Sequence, residues 1–269
     1  MGWLVLLGFA LGLAVIWVAA FLGANDLAVP TRRFREPLRT MAIFPHADDE
    51  TVTAGGTFGV VTQTGGAVAL VLLTWGERGG TPGGSPSDLA EARHREANRA
   101  AHLLGIGELL QGDFPDGALE DHGDQVSTWL AQQIEAWRPE LLITYDRAGL
   151  YGHPDHVACA GIVTQLRDTR FPNIALWYSS LPPRLARNLT RVRVLPAAAP
   201  GDPRRSQPTH KVFVGQRLIA KMRAWSAYRS QRQSLRKGAG RFVPPWLFLS
   251  VLLFEYFAEA IPLEAGPRS

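Results

Sequence analysis

Cysteine is almost absent from this chain, because Cys159 is the single cysteine in 269 residues. One cysteine excludes an internal disulfide framework and any zinc site built from clustered cysteines. The 27 glycines and 19 prolines follow no regular spacing, which excludes collagen-like and low-complexity architectures. With 46% hydrophobic and only 19% charged residues, the composition is that of a folded protein with a full core.

Charged side chains are absent from residues 2–25. The apolar run at 3–23, as a helix rising about 1.5 Å per residue, is long enough to cross the ~30 Å hydrocarbon layer of a membrane. A cleaved signal peptide would have a basic start and a shorter apolar run, and a buried helix of a soluble domain is the other alternative. We therefore expect residues 1–25 to be a transmembrane anchor.

The predicted anchor is followed by a basic stretch that contains Arg32, Arg33, Arg35 and Arg39. Lys and Arg beside a membrane helix are typical of the cytoplasmic side, and the residues before the helix include neither. The sequence therefore predicts a basic juxtamembrane linker at 26–39. It also predicts a single-pass membrane protein whose catalytic domain lies in the cytoplasm.

Acidic side chains are absent from residues 203–254, which hold 11 of the 28 Lys and Arg residues. A basic stretch of this kind suggests a surface for phosphate, anionic lipid or nucleic acid, and residues 217–235 favour an amphipathic helix. The apolar run at 246–254 is too short to span a bilayer. We expect the hydrophobic segment 236–269 to dock on the membrane surface, with a strand or helix that completes the core as the alternative. Nucleic acid is not expected as a partner, since no known reader motif is present.

The middle of the chain alternates strand-like and helix-like segments. Apolar runs at 40–44, 67–74, 141–145 and 174–178 predict buried strands, and the spacing of apolar residues at 89–104, 125–137 and 156–166 predicts helices. Strands that alternate with helices are typical of parallel sheets covered on both faces. The sequence therefore predicts an α/β, Rossmann-like layered fold with a mostly parallel sheet, in a catalytic domain at 40–235.

Two clusters of histidine and aspartate follow predicted strands. His46, Asp48 and Asp49 come directly after the first strand, and His153 and His156 come after the strand at 141–145. Because the carboxyl ends of parallel strands meet at one edge of a sheet, we expect the two clusters to converge there. Imidazole and carboxylate groups bind zinc and other first-row divalent metals, and a set of two His and one Asp leaves positions open for water and substrate.

The motifs PHADDE at 45–50 and YGHPDH at 151–156 resemble those of the LmbE/PIG-L family of metal-dependent N-acetylglucosamine deacetylases. The resemblance extends from about Met41 to Gln231. It departs from the family's usual pattern at Ala47, where proline is common. Further matching segments lie at 73–79, 93–96, 104–105, 113–117, 144–146, 210–211 and 228–231.

The resemblance implies a role for each matching residue. Zn²⁺, or another first-row divalent metal, would be bound by His46, Asp49 and His156. Asp48 would be the general base. His153 would stabilise the oxyanion or protonate the leaving amine, with Asp155 orienting it. Tyr151 would polarise the carbonyl group. Substrate would be contacted by Arg93, Asp116 and Glu77.

The implied reaction is hydrolysis of the N-acetyl group of an N-acetylglucosamine-type sugar to a free amine and acetate. Hydrophobic segments lie at both ends of the predicted catalytic domain. They favour a lipid-linked substrate, because an enzyme held in the same membrane meets that substrate at a higher effective concentration. The alternative is a soluble glucosaminyl intermediate of a low-molecular-weight thiol pathway. An inactive membrane-associated binding protein is less favoured, since every implied ligand and the base are present. The sequence leaves the oligomeric state open.

Overall fold

A computed structural model of the chain describes residues 2–79, 85–191, 202, 204–231 and 245–261. Its centre is a seven-stranded sheet in the order β3-β2-β1-β4-β5-β7-β6. The five strands from β3 to β5 are parallel, whereas β7 is antiparallel to both β5 and β6. The strands are β1 Arg39–Phe44, β2 Ala67–Thr74, β3 Glu108–Phe114, β4 Leu141–Tyr145, β5 Ala175–Ser180, β6 His210–Phe213 and β7 Phe254–Glu259.

Helices cover both faces of this sheet. They are α1 Gly2–Ala24, α2 Asp49–Thr53, α3 Gly55–Gln63, α4 Pro86–Leu104, α5 Gly123–Trp137, α6 Gly149–Gly152, α7 Pro154–Thr169, α8 Pro183–Arg191, α9 Leu218–Ala227 and α10 Pro245–Val251. Short 3₁₀ turns precede α5 and α9. The predicted α/β class with a mostly parallel sheet is confirmed.

The core has two layers because successive side chains of a strand point to opposite faces. On β1, Phe44 packs with Phe58 of α3 on one face, while Ile43 packs with Val163 of α7 on the other. All of these side chains are fully buried. A strand that is buried on both faces reads as one apolar run, which is why the central strands were predictable.

The C-terminal apolar run at 246–254 is divided between α10 and the first residue of β7. β7 lies between β5 and β6, and Phe257 is fully buried there. The fold therefore extends past residue 235, and β7 completes the core, while docking of the segment on a membrane stays a prediction. The rest of the predicted docking segment, at 236–244 and 262–269, lies outside the described residues.

The predicted basic linker lies against the protein itself. Thr31 bridges to Lys211 of β6, and the Arg32 guanidinium pairs with Glu259 at 3.0 Å. The guanidinium of Arg39 stacks on the Trp137 ring at 4.2 Å. The predicted amphipathic helix is the shorter α9, which buries both Lys221 and Trp225, so that part of its cationic face points inward. Residues 232–235 lie outside the described part of the chain.

Among the described residues, α1 is the one helix that is long and apolar enough to cross a membrane. Residues 2–16 are exposed along their whole length. The last turns of α1 contact the domain, where Ala24 packs with Leu185 and Val251 in a small apolar cluster. The helix is therefore fixed to the domain at its C-terminal end only.

His210 is expected to make stability fall at mildly acidic pH. It lies between Trp177 and Phe257, and burial, assisted by the charge of Arg32, lowers its pKa to about 4. Because this pKa is lower than the ~6.5 of the unfolded chain, its stabilising effect is present above pH 6.5 and is lost as the pH falls toward 4. When the pH falls from 7 to 4.5, the unfolding free energy of His210→Gln should decrease by ~1–2 kcal/mol less than that of the wild type.

This expectation is measured by denaturant unfolding of detergent-solubilised protein at several pH values. His102→Gln, the same substitution at an exposed position on α4, is the matched control and should retain the wild-type pH slope. Equal slopes for His210→Gln and the wild type would contradict the assignment.

Candidate active site

The two predicted clusters meet at the carboxyl edge of the sheet. His46 follows β1 by two residues, and His156 stands in the first turn of α7 after β4. Because β1 and β4 are adjacent parallel strands, their following segments lie side by side. The His46 and His156 ring centroids are 5.4 Å apart, and the ring of Tyr145 stacks on His156 at 4.3 Å.

Asp49 lies between these two histidines. Its Oδ2 atom is 3.5 Å from His46 Nδ1 and 3.5 Å from His156 Nε2. Burial raises the pKa of Asp49, but the neighbouring His156 and His46 outweigh it and hold the pKa well below its usual value. Burial also lowers the pKa of His156 to about 4, which keeps this imidazole neutral, as a metal ligand must be.

The spacing of Asp49 from each histidine suits two ligands of one divalent metal. Ligand bonds of about 2.0–2.1 Å in a tetrahedron place neighbouring donor atoms roughly 3.3–3.4 Å apart. The two 3.5 Å separations at Asp49 are close to that spacing. The sequence-predicted ligand set His46, Asp49 and His156 is therefore brought together by the fold.

Asp48 adopts a backbone conformation that is unusual for a non-glycine residue, with φ 97° and ψ −26°. Its backbone N–H donates to the Glu50 Oε2 atom at 3.0 Å, which holds the turn. Burial raises the pKa of Asp48 to about 8; Arg93 and His46 oppose this shift, whereas the charges of Asp49 and Glu50 add to it. A carboxyl group with such a pKa can exchange a proton near neutral pH.

Glu50 is a site residue to which sequence reasoning gave no role. It is fully buried, and its Oε1 atom accepts hydrogen bonds from the hydroxyls of Thr51 and Tyr228, the latter at 2.7 Å. The only sequence signal was its membership in the PHADDE motif, while Tyr228 lies in the matching segment at 228–231. Together they connect the end of α9 to the Asp48 turn.

His153 and Tyr151 stand at the open side of the cluster. His153 caps α7, and its Nδ1 atom accepts the Asp155 backbone N–H at 3.2 Å. An acceptor role for Nδ1 leaves the proton of the neutral ring on Nε2. Burial lowers the pKa of His153 and raises that of Tyr151, so His153 stays neutral and Tyr151 stays a hydroxyl. The Tyr151 Oη atom is 3.4 Å from His156 Nε2.

The carboxylates of Asp155 and Asp116 are directed at His46. Each lies 3.0 Å from its Nε2 atom, and Asp155 also accepts the backbone N–H groups of Gly117 and Leu119. Asp155 meets His153 through its backbone N–H, and its role in orienting His153 stays a prediction. Asp116 lies against His46, and its contact with substrate also stays a prediction.

The imidazole of His46 and these carboxylates shift each other's titration. Burial lowers the pKa of His46, but its hydrogen bonds to Asp116, Asp155 and Asp49 raise it well above 6.5. Burial raises the pKa of Asp116, but the hydrogen bond to His46 outweighs this effect and brings the value to about 2. Asp155 shifts in the same direction as Asp116. The cluster is therefore a tightly coupled network.

Arg93 and Glu77, also predicted to contact substrate, bind the site's own loops. The Arg93 guanidinium donates to the carbonyl oxygens of Gly76, Gly79 and Ala47 at 2.8, 3.1 and 2.9 Å. A buried guanidinium needs such partners. Gly76 has φ +66° and a Cβ there would lie 2.5 Å from Arg93, so only glycine fits. Glu77 Oε1 accepts the Asp116 backbone N–H at 2.9 Å.

A cavity of about 390 Å³ opens beside this cluster. Asp48, Asp49 and Tyr151 line its polar end. The other end is apolar and lies between α8, α9 and α10. Its apolar lining includes Leu181, Leu185, Leu189, Trp225, Phe248 and Leu252.

Layered α/β proteins bind ligands at the carboxyl edge of their parallel sheet. His and Asp side chains at that edge are typical of the class whose members bind a divalent metal there. Residues 41–167 match the family described as PIG-L: GlcNAc-PI de-N-acetylase, which confirms the predicted family resemblance.

Curated relatives of the chain include a deacetylase and an amidase. A 1D-myo-inositol 2-acetamido-2-deoxy-alpha-D-glucopyranoside deacetylase of Nakamurella multipartita is 33% identical over 47% of this chain and 54% of its own. A mycothiol S-conjugate amidase of Streptomyces coelicolor is 33% identical over 45% of this chain and 49% of its own. The chain thus spans about half the length of these relatives.

The fold is also that of a solved deacetylase. The N,N'-diacetylchitobiose deacetylase of Pyrococcus horikoshii superimposes with a TM-score of 0.59 at 21% identity, over 89% of this chain and 88% of that one. At this identity the likeness concerns the fold alone.

Proposed function

We propose that this protein hydrolyses the N-acetyl group of an N-acetylglucosamine-type sugar, giving a free amine and acetate. One observation carries the proposal: within a PIG-L domain, Asp49 lies 3.5 Å from both His46 and His156, beside the half-buried Asp48. This arrangement supports a metal-ligand set and a candidate base beside a cavity that Asp48 and Asp49 line.

His46, Asp49 and His156 would hold the metal, and zinc is the first candidate because two imidazoles and one carboxylate suit it. When bound, such a metal activates water and polarises a carbonyl group. Another first-row divalent ion would satisfy the same ligands.

The remaining residues would carry the protons and the developing charge. Asp48 takes the proton of water as the water oxygen bonds to the amide carbon. The Nε2–H of His153 and the hydroxyl of Tyr151 donate hydrogen bonds to the oxyanion. When the carbon–nitrogen bond breaks, the proton held by Asp48 goes to the departing amine.

The first substrate class that we propose is a soluble glucosaminyl conjugate, such as an inositol-linked N-acetylglucosamine. The name of the Nakamurella relative gives a substrate of this kind. The comparisons therefore support a soluble substrate better than the lipid-linked substrate that the hydrophobic ends of the chain favour.

A lipid-linked amino sugar is the second candidate because a specific observation favours it. The cavity that begins at Asp48 and Asp49 continues between Leu185, Leu189 and Leu252. A hydrophilic sugar conjugate gains nothing from such a lining, whereas an aliphatic chain gains about 0.8 kcal/mol for each buried methylene.

We also propose that α1 is the membrane anchor of a single-pass protein with its domain on the cytoplasmic side. Its length, its apolar composition and the exposure of residues 2–16 support this proposal. The basic residues at 32–39 support the orientation.

Acetate release tests the two substrate classes. We expect the metal-loaded protein to release acetate from N-acetylglucosaminyl inositol, and Leu189→Gln to leave this kcat/KM within about twofold, because a soluble sugar does not need the apolar end of the cavity. If a lipid-linked sugar is also a substrate, its kcat/KM should fall about tenfold in the same variant, as a loss of ~1.4 kcal/mol of apolar contact predicts.

Leu103→Gln is the matched control, since Leu103 is half-buried and borders a different surface pocket. Absence of acetate from both substrates would refute the deacetylase proposal. Release from the lipid-linked sugar that is insensitive to Leu189→Gln would refute only the cavity's part in binding the lipid.

A further inference from the structure

Two short helices flank the C-terminal end of α1. The Trp17 indole N–H donates to Ser250 Oγ of α10 at 3.1 Å, and the Asn188 amide of α8 donates to the Gly23 carbonyl at 3.1 Å. The buried Asn25 amide donates to the Val251 carbonyl at 2.6 Å. These contacts fix α8 and α10 beside the last two turns of α1.

The length of α1 sets the depth of these two helices in a membrane. The stretch of α1 in which every residue is exposed, residues 2–16, is about 22 Å long as a helix, whereas the hydrocarbon layer is about 30 Å thick. A spanning α1 must therefore also use the region from Trp17 to about Phe21. Because α10 contacts that region and α8 contacts the turn after it, both helices lie at the membrane interface.

The outer surfaces of α8 and α10 have the chemistry of that interface. Arg184, Arg187 and Arg191 are exposed at three- and four-residue spacing on one face of α8, opposite the buried Leu185. The helix contains no acidic residue. Trp246 of α10 is 62% exposed. Arginine forms paired hydrogen bonds with phosphate, and tryptophan is enriched at headgroup level.

We propose that this surface, made of Arg184, Arg187, Arg191 and Trp246, binds anionic phospholipid headgroups and seats the catalytic domain on the bilayer. The inference rests on the proposed anchor but not on the proposed reaction. The same two helices supply Leu185, Leu189 and Phe248 to the cavity, so this surface lies beside its apolar end.

The test uses the full chain in nanodiscs of phosphatidylcholine with 0–40% phosphatidylglycerol. Amide hydrogen exchange is measured for the peptide that covers α8. We expect exchange in α8 to slow at least about fivefold as phosphatidylglycerol is added, and 0.5 M NaCl to reverse this protection, because salt screens the attraction. Phosphatidylcholine alone should give no such protection.

Replacing all three α8 arginines with glutamine should abolish the protection by phosphatidylglycerol. The matched control replaces Arg99, Arg223 and Arg229, which border one pocket between α4 and α9, and should behave as wild type. If the triple variant does not fold, Arg187→Gln should raise the phosphatidylglycerol fraction needed for half-protection at least twofold, and Arg187→Lys should restore it.

Each outcome decides the proposal. Equal α8 exchange in both lipids, an unaltered triple variant or a control that loses protection equally would overturn the docking surface. Protection by an oligonucleotide but not by phosphatidylglycerol would assign the arginines to nucleic acid instead. A chain that fails to enter the discs would overturn the anchor as well, while acetate release would still test the proposed reaction separately.

Discussion

Asp48→Asn is expected to lower kcat for acetate release about a thousandfold, while the metal content stays at the wild-type level. The substitution keeps the shape of the side chain but removes its ability to accept a proton from water. General bases typically contribute 10²–10⁴-fold to the rate, which sets the magnitude. Acetate release and metal content, each measured after zinc loading, are the two observables.

The metal measurement separates the two adjacent aspartates. Asp49 contacts both histidines, so Asp49→Asn should lose metal and activity together, whereas Asp48→Asn should lose activity alone. Asp113→Asn is the matched control, because Asp113 is exposed at the same edge of the sheet and bonds only to the Trp75 indole among its described side-chain contacts. A turnover number for Asp48→Asn within tenfold of wild type would remove Asp48 as the base.

The convergence of the two motifs was predictable because it follows from topology. Once residues 40–44 and 141–145 are assigned as buried parallel strands, His46 and His156 must come to the same edge of the sheet. The apolar runs identify these strands by themselves, since both faces are covered. Neither the exact donor atoms nor the partners of each imidazole are contained in such a pattern.

The contacts within the site that the sequence did not predict depend on loops. The glycine turn at Gly76 brings a carbonyl group to the Arg93 guanidinium, whose expected contact with substrate stays a prediction. The position of Asp155 in the first turn of α7 directs its carboxylate to His46 and to two backbone N–H groups, while its own backbone N–H meets His153. Distances across loops are set by tertiary packing, which a single sequence does not encode locally.

The strands on the β6 side of the sheet were harder to predict for a different reason. β6 has only four residues, and β7 begins inside an apolar run and contains the charged Glu255, so that a strand there was only the alternative to membrane docking. In the fold the Glu255 carboxylate is buried, and three hydrogen-bond donors compensate for its loss of water. A charged residue in an otherwise apolar strand therefore predicts a hydrogen-bonding partner elsewhere in the chain, although the sequence alone does not identify that partner.

That partner set predicts a large loss of stability for Glu255→Ala. The Glu255 carboxylate accepts the backbone N–H groups of Gly56 and Thr57 at the start of α3, at 2.9 and 2.7 Å, and the Lys221 ammonium at 2.6 Å. Alanine leaves a buried ammonium and two backbone donors without this acceptor. Breaking one side of a buried pair costs about 3–5 kcal/mol, which for a chain of this size lowers Tm by roughly 10 °C.

Thermal and denaturant unfolding in detergent measure this effect. Glu135→Ala is the matched control: Glu135 pairs with Arg170 at 2.7 Å with both side chains about half exposed, so its loss should cost under about 1 kcal/mol. Replacing Lys221 and Glu255 together with methionine removes both charges, and should leave the protein more stable than Glu255→Ala. If Glu255→Ala costs no more than Glu135→Ala, the buried pair does not hold β7 and α3 together. The extension of the fold to Glu259 would then rest on strand pairing and apolar packing alone.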